Sequence, residues 1–324
     1  MKQKDLIKEL DVVFSKDLLE GLSSNPKTLS SKYFYDETGD RLFQQIMQLD
    51  EYYLTRAEYR ILEKNARALT TLLLALNSEI QLIEFGAGDG YKTKLLLTDF
   101  IKNKLNFTYV PIDISENAIK KLSDDISILY PNLIIKPVEG EYFEALKLLQ
   151  KDLENTKLVM FLGSNIGNFK ELDSLIFLKK LHASLTKNDR LLIGFDLMKK
   201  PQKIMAAYND SEGVTKKFNL NLLKRINEEF DANFDLNTFE HYPVYNPQTG
   251  EMKSFLVSNK KQTVHFSALD RSIDFEKWEA IQTEVSQKFN LEKVYELAQK
   301  AGFEIERNFI DDEDFYLNSL WKVV

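Results

Sequence analysis

Glu84, Gly86, Gly88 and Gly90 stand two residues apart at the end of an apolar run containing Leu82, Ile83 and Phe85. Glycine takes left-handed backbone conformations at little cost and has no side chain to hold a ligand off the main chain. A glycine loop between a strand and a helix therefore suits a nucleotide-like cofactor. A plain strand-to-helix turn is the bland alternative. The dinucleotide fingerprint needs its third glycine three residues after the second. Here Gly90 comes two after Gly88, and position 91 is tyrosine. No Gly-x-x-x-x-Gly-Lys-Ser/Thr phosphate loop occurs in the chain. Further along, Asp113 ends the segment Pro111-Ile-Asp113-Ile-Ser115. A carboxylate there can accept from both hydroxyls of a ribose. Its other reading is a helix N-cap, a task Ser115 can also perform. Glu141 and Tyr142 follow a third apolar run; the acid can accept from an adenine amine while the ring packs on the base. An exposed loop is the alternative for that pair.

The Glu-x-Gly-x-Gly-x-Gly spacing is the form typical of S-adenosylmethionine-dependent methyltransferases. Acids after three consecutive strands strengthen it, because NAD has no need of the third. The fourth strand runs into Gly163-Ser-Asn-Ile-Gly167-Asn168. The Asn/Asp-Pro-Pro-Tyr/Phe motif common in nucleobase methylation is absent there. Glu284 and Ser286, two residues apart, can face one ligand from an extended or turn segment. A carboxylate accepts from one imidazole N–H, and a hydroxyl donates to the other ring nitrogen. From these residues alone, an amphipathic helix start at 282–289, capped by Thr283 or Ser286, is the favoured reading.

Composition narrows the partners. The 324 residues carry a net charge of −7 without a basic block. Nucleic acid wants a basic footprint, so a small-molecule substrate is expected. The longest apolar stretch, Leu72–Leu76, is far short of the roughly 18 residues that cross a membrane. With no apolar signal core after Met1, the expectation is a cytoplasmic protein without membrane attachment, acting as a monomer. The absence of cysteine removes disulfides, thiolate nucleophiles and thiolate metal sites, and no metal site is expected. His182, His241 and His265 read as structural.

The elements that must position these residues follow from periodicity. Residues 5–22, 41–50 and 55–76 read as helices. From residue 81, strands and helices alternate: strands at 82–85, 107–112, 133–138, 158–162 and 190–195, and helices at 91–102, 117–128 and 170–185. Such alternation predicts a parallel sheet covered by helices. Residues 200–235 then read as helical and 239–268 as a β-meander, with a turn at Asn246–Gly250. A helix at 291–301 precedes strands at 303–309 and 316–323, the last antiparallel. The expected fold is α/β: a Rossmann-like core of 61–196 and 287–324, with an α+β domain of 1–60 and 197–286.

Separated motifs together resemble the L-histidine Nα-methyltransferases of ergothioneine biosynthesis, which make hercynine. They are Tyr35-Asp-Glu-Thr-Gly39 with Leu42-Phe43, Glu51-Tyr52-Tyr53 with Thr55-Arg56, the 84–90 loop with Lys92, and Gly163–Asn168. Ala207-Tyr208-Asn-Asp, Gly213-Val214-Thr215, Phe218-Asn219, Thr283–Ser286 and Lys288-Phe289 complete the set. The resemblance spans nearly the whole chain. It implies a class I S-adenosylmethionine-dependent core, a substrate-binding domain, S-adenosylmethionine as cofactor and L-histidine as substrate. It places Tyr35, Gly86, Gly88, Lys92, Asp113, Glu141 and Tyr142 at the cofactor. Tyr52, Asn168 and Tyr208 would hold the substrate's carboxylate and amine, Phe218 would form a wall, and Glu284 and Ser286 would bind the imidazole. Tyr35, Tyr52 and Asn168 would serve catalysis. Ser254 departs from the pattern, standing where relatives often carry a methionine, with Met252 two residues before it. Two alternatives stay open: methylation of another amino acid or aromatic amine, and a non-catalytic cofactor-binding subunit.

Overall fold

A computed structural model describes residues 11–76, 78–142, 144–145 and 155–324. The chain separates into two compact units. One comprises Tyr53–Lys200, Pro247–Gly250 and Ser286–Val324; the other comprises Met1–Tyr52, Pro201–Asn246 and Glu251–Val285.

The first unit is built on a seven-stranded sheet. Its strands are β2 (Ile80–Phe85), β3 (Phe107–Asp113), β4 (Val138–Glu139), β5 (Thr156–Phe161), β6 (Arg190–Asp196), β12 (Phe303–Ile310) and β13 (Tyr316–Val323). The order is β12-β13-β6-β5-β2-β3-β4. β3, β2, β5 and β6 pair in parallel, with Glu84 opposite Pro111 and Met160, and β13 runs antiparallel to both neighbours. This is the alternating core expected, closed by the expected reversed strand. The 133–138 strand is shorter than its pattern: Ile135 makes a lone bridge to Tyr109, and only Val138 and Glu139 pair with β3. Helices α3 (Tyr53–Leu74), α4 (Thr93–Lys102), α5 (Glu116–Leu129), α6 (Glu171–Ala183) and α9 (Leu291–Ala301) belong to this unit. Ser115 Oγ accepts from Ala118 N at 3.2 Å and starts α5. Asn290 caps α9 through Lys293 N at 2.7 Å, and Gly302, at φ +93°, stops it. Ile83, Phe85, Phe161, Phe195 and Trp321 lie at the centre of the core, each fully buried.

The second unit contains β1 (Lys27–Thr28), β7 (Phe239–Asn246), β8 (Glu251–Ser258) and β11 (Ala280–Gln287), in the order β1-β11-β8-β7. β9 (Gln262–Phe266) leaves that sheet to pair with β10 (Arg271–Phe275). The meander read from the sequence therefore ends at β8, and β11 takes the next place. Segment 282–289 is not a helix start. Ile281 and Thr283 are buried in alternation with half-exposed Gln282 and Glu284, which is strand periodicity. Helices α1 (Val12–Ser23), α2 (Glu37–Gln48), α7 (Pro201–Tyr208) and α8 (Val214–Phe230) complete the unit. The portion of the expected 5–22 helix before residue 11 lies outside the described residues. Gly39 is required in α2, because a Cβ would sit 1.7 Å from the Phe34 carbonyl oxygen. Asp210 starts α8 by accepting from Val214 N and Thr215 N, both at 2.8 Å. Phe14, Phe34, Leu222, Phe230 and Leu256 lie in its core.

Candidate active site

In a parallel sheet, all strands present their carboxyl ends at one edge, where ligands bind in open α/β folds. β2 delivers the glycine loop to that edge. Gly86, Gly88 and Gly90 take φ of +70°, +55° and +63°, the left-handed region that disfavours other residues. A Cβ at Gly86 would meet Asn165 Nδ2 at 2.7 Å and Tyr142 Oη at 2.8 Å, whereas Gly88 faces open space. β3 delivers Asp113. Its Oδ2 accepts from Gly88 N at 2.8 Å and its Oδ1 from Ser115 N at 3.0 Å. Ser115, not Asp113, caps α5. Burial raises the Asp113 pKa, against the backbone N–H groups that lower it. Each carboxylate oxygen retains a second lone pair for a ribose hydroxyl. The open backbone at Gly88 and the acid beside it fit an adenosyl cofactor.

Beyond β4, Glu141 is exposed, and its carbonyl accepts from Glu144 N and Ala145 N. Tyr142 is half-buried against Phe85, Phe161, Phe169 and Phe177, with ring centroids 5.1 to 6.1 Å away. That packing fixes its hydroxyl at the glycine loop.

Lys92 has a strong partner that sequence reading missed. Its ammonium is paired with Glu58 of α3, which is wholly buried. Glu58 also accepts from Gly163 N at 2.9 Å and Asn318 Nδ2 at 2.8 Å. The signal was present: Glu58 interrupts an apolar helical stripe of Leu54, Ile61 and Leu62. A charge in a buried stripe must be paired.

After β5 the chain turns sharply. Gly163 and Ser164 both adopt left-handed conformations, φ +74° and +57°, and Ser164 Oγ accepts from Asp196 N at 3.0 Å. Strain of this kind at a non-glycine residue concentrates at functional sites. A 3₁₀ turn, Asn165–Asn168, follows. Asn168 is exposed, while Asn165, not singled out from sequence, reaches toward Gly86.

In the second unit, Tyr35, Tyr52 and Phe218 are brought together around Phe43. Its ring lies 5.8 Å from Tyr35, 6.1 Å from Tyr52 and 5.9 Å from Phe218. Aromatic faces of this kind attract ammonium groups. Phe43, quoted within a motif but given no role, is the hub. Tyr208 is buried at the end of α7. Glu284 lies half-buried on β11, and Ser254 Oγ donates to its Oε2 at 3.1 Å. Met252 and Ser254 both face inward on β8. The departure at 254 thus supplies a hydrogen bond to the Glu284 carboxylate.

Ser286 follows Glu284 on alternate positions of β11. Its Oγ accepts from Lys288 Nζ at 2.8 Å, and Lys288 Nζ is 2.8 Å from Asp196 Oδ2. Tyr53 Oη donates to Asp196 at 2.8 Å, and Lys199 Nζ pairs with the same carboxylate. Burial works against ionisation of Asp196, but the two ammonium groups hold its pKa below the usual carboxylate range. Burial pushes Lys199 down to about 8, against the pull of Asp196. Of the histidines, His265 pairs with Ser272 at 2.8 Å, and burial pushes His241 down to about 4.

Residues 14–323 match the family described as histidine-specific methyltransferase, SAM-dependent. The chain is 36% identical to a histidine N-alpha-methyltransferase of Mycolicibacterium smegmatis, over 89% of this chain and 88% of that one. It is 34% identical to the Mycobacterium tuberculosis protein of the same name, over 94% and 93%. Ergothioneine biosynthesis protein 1 of Schizosaccharomyces pombe is 32% identical, over 82% of this chain and 35% of the longer yeast protein. With the glycine loop, its acid and this full-length match together, the chain belongs to the S-adenosylmethionine-dependent, histidine-specific methyltransferase family.

Proposed function

We propose that the protein trimethylates the α-amine of L-histidine to hercynine, the opening step of ergothioneine biosynthesis. The observation that carries the substrate is the placement of Glu284 and Ser286 on alternate residues of one strand. An acceptor-only carboxylate and a hydroxyl match the two edges of a neutral imidazole. An apolar side chain offers neither the N–H nor the bare ring nitrogen that these two groups would meet, which discriminates against it.

S-adenosylmethionine supplies an electrophilic methyl group. The chain supplies binding and alignment. Asp113 takes the ribose hydroxyls beside the Gly86–Gly88 backbone, and Glu141 and Tyr142 take the adenine. Asn168, Tyr52 and Tyr208 take the amino acid's carboxylate and amine. The amine must be neutral to attack; Tyr35 and Tyr52 orient it while its proton leaves to water. The faces around Phe43 receive the growing ammonium charge. Residues 61–196 and 287–324 act as the cofactor core and 1–60 with 197–286 as the substrate domain. The protein acts in the cytoplasm, as a monomer.

Incubation with histidine and S-adenosylmethionine is expected to add three methyl groups, read by mass. Activity on another amino acid but none on histidine would refute the substrate. Glu284→Ala is expected to weaken histidine binding roughly tenfold to a hundredfold while cofactor affinity, measured by calorimetry, stays unchanged. Equal loss of both would make Glu284 structural.

A further inference from the structure

Glu58 is wholly buried on α3 and has no role in the scheme above. Its carboxylate meets donors from three other elements. Lys92 Nζ, at the start of α4, and Gly163 N, at the turn after β5, share Oε2, while Asn318 Nδ2 of β13 donates to Oε1 at 2.8 Å. Room is kept for it: a Cβ on Gly194 of β6 would lie 2.3 Å from Glu58 Oε1. A glycine inside a strand marks such a close approach. Stability does not explain the arrangement, because well-packed apolar residues of similar volume are often at least as stable as a buried ion pair. All of these residues belong to the unit built on the seven-stranded sheet.

What the carboxylate does is aim Lys92. An ammonium has three donors, and Glu58 takes one of them. The Lys92 side chain keeps 19% of its surface exposed, and its Nζ lies 3.5 Å from the point where a Cβ on Gly163 would stand. The ammonium is thus held at the carboxyl end of β5. The sheet order there is β5-β2-β3-β4, with neighbouring strands about 4.8 Å apart. In the proposed complex the adenine lies beyond β4 and the ribose at Asp113 on β3. The amino-acid end of the cofactor then reaches past the β2 glycines toward β5.

We propose that Glu58 is a positioning residue for the cofactor: it fixes the Lys92 ammonium at the end of β5, where it meets the carboxylate of the cofactor's amino-acid end. This rests on Lys92 being a cofactor contact. Without Glu58, the flexible four-carbon stem of Lys92 must be ordered when the ligand binds, which lowers affinity. The charge removed with Glu58 has offsetting effects on the ligand, whose amino-acid end carries both an ammonium and a carboxylate.

The test is calorimetry with two ligands, S-adenosylhomocysteine and methylthioadenosine, which has the same nucleoside and thioether without the amino-acid end. Glu58→Met removes the acceptor oxygens at similar volume. It is expected to weaken S-adenosylhomocysteine roughly threefold to tenfold and to leave methylthioadenosine unchanged. Lys92→Met is expected to weaken S-adenosylhomocysteine roughly tenfold to a hundredfold, and the double variant no further. Glu58→Gln is expected to recover most of the loss. Its oxygen accepts from Lys92, and its amide donates to Asn318 Oδ1, a buried atom without a hydrogen-bond partner among the described residues. Equal weakening of both ligands by Glu58→Met, an unchanged S-adenosylhomocysteine Kd, additive losses in the double variant or no recovery in Glu58→Gln each overturn the proposal. If Glu58→Met does not fold, Glu58→Asp, whose shorter side chain draws the carboxylate back from Lys92, takes its place under the same outcomes. An unchanged S-adenosylhomocysteine Kd in Lys92→Met instead refutes the cofactor contact beneath the proposal, and the proposal with it.

Discussion

Asp113 shows how one side chain carries two tasks. It ties the Gly88 amide and the start of α5 to the end of β3, and its remaining lone pairs face the ribose in the proposed complex. Asp113→Asn replaces one acceptor oxygen with a donor. Loss of a hydrogen bond to a charged acceptor costs about 1.5–3 kcal/mol. Affinity for S-adenosylhomocysteine is expected to fall roughly tenfold to a hundredfold, measured by calorimetry. An unchanged Kd would leave Asp113 a purely structural tie. The placement of Asp113, Gly86 and Gly88 was legible because each stands at a strand end that hydrophobic patterning marks. Glu58, Asp196 and Lys288 were not, because their partners are remote in sequence. Glu58 meets Asn318 across 260 positions, and no spacing rule reaches that far.

At the scale of elements, the glycine loop rests on a buried acid. Glu84 of β2 accepts from Thr93 Oγ1 on α4 and from Tyr109 Oη on β3, both at 2.5 Å. Burial pushes its pKa up to about 7 from 4.5, despite those hydrogen bonds. The folded state therefore holds a proton that the unfolded state has already lost. This contribution to stability is complete below the unfolded value and is lost as pH rises through about 7. His241, pushed down to about 4, works in the opposite sense, losing stability as pH falls. The informative quantity is thus the difference between wild type and Glu84→Gln in thermal melts at pH 5 and 7.5. The wild-type protein is expected to lose more stability over that interval than the variant; parallel curves would refute it. Among the elements, α9 and β13 were read at their observed bounds because a cap, a stop glycine and clean alternation mark them. β11 was ambiguous because its register with its neighbours gives the polar residues their meaning.

For the whole molecule, a net charge of −7 and the cofactor site lead to one expectation. S-adenosylhomocysteine at about a hundred times its Kd should stabilise the fold by about 2.7 kcal/mol through mass action. The melting temperature should rise accordingly, and Asp113→Asn should need proportionately more ligand for the same rise. No shift at saturating ligand would contradict the cofactor assignment. Among the described residues no helix is long and apolar enough to cross a membrane.

Local physics let the sequence by itself determine the alternating core and the glycine turn at the end of β2, while the resemblance of separated motifs pointed to the family. Steric limits on φ, the two periods of apolar residues and the chemistry of single side chains act over a few positions. The tertiary structure alone decided what those residues touch. It placed Lys92 on Glu58, gathered Tyr35, Tyr52 and Phe218 around Phe43, set Ser254 on Glu284, and put Lys288 between Ser286 and Asp196. Pairing of this kind arises from burial of charge, which forces distant groups together. Only the folded chain shows which groups those are.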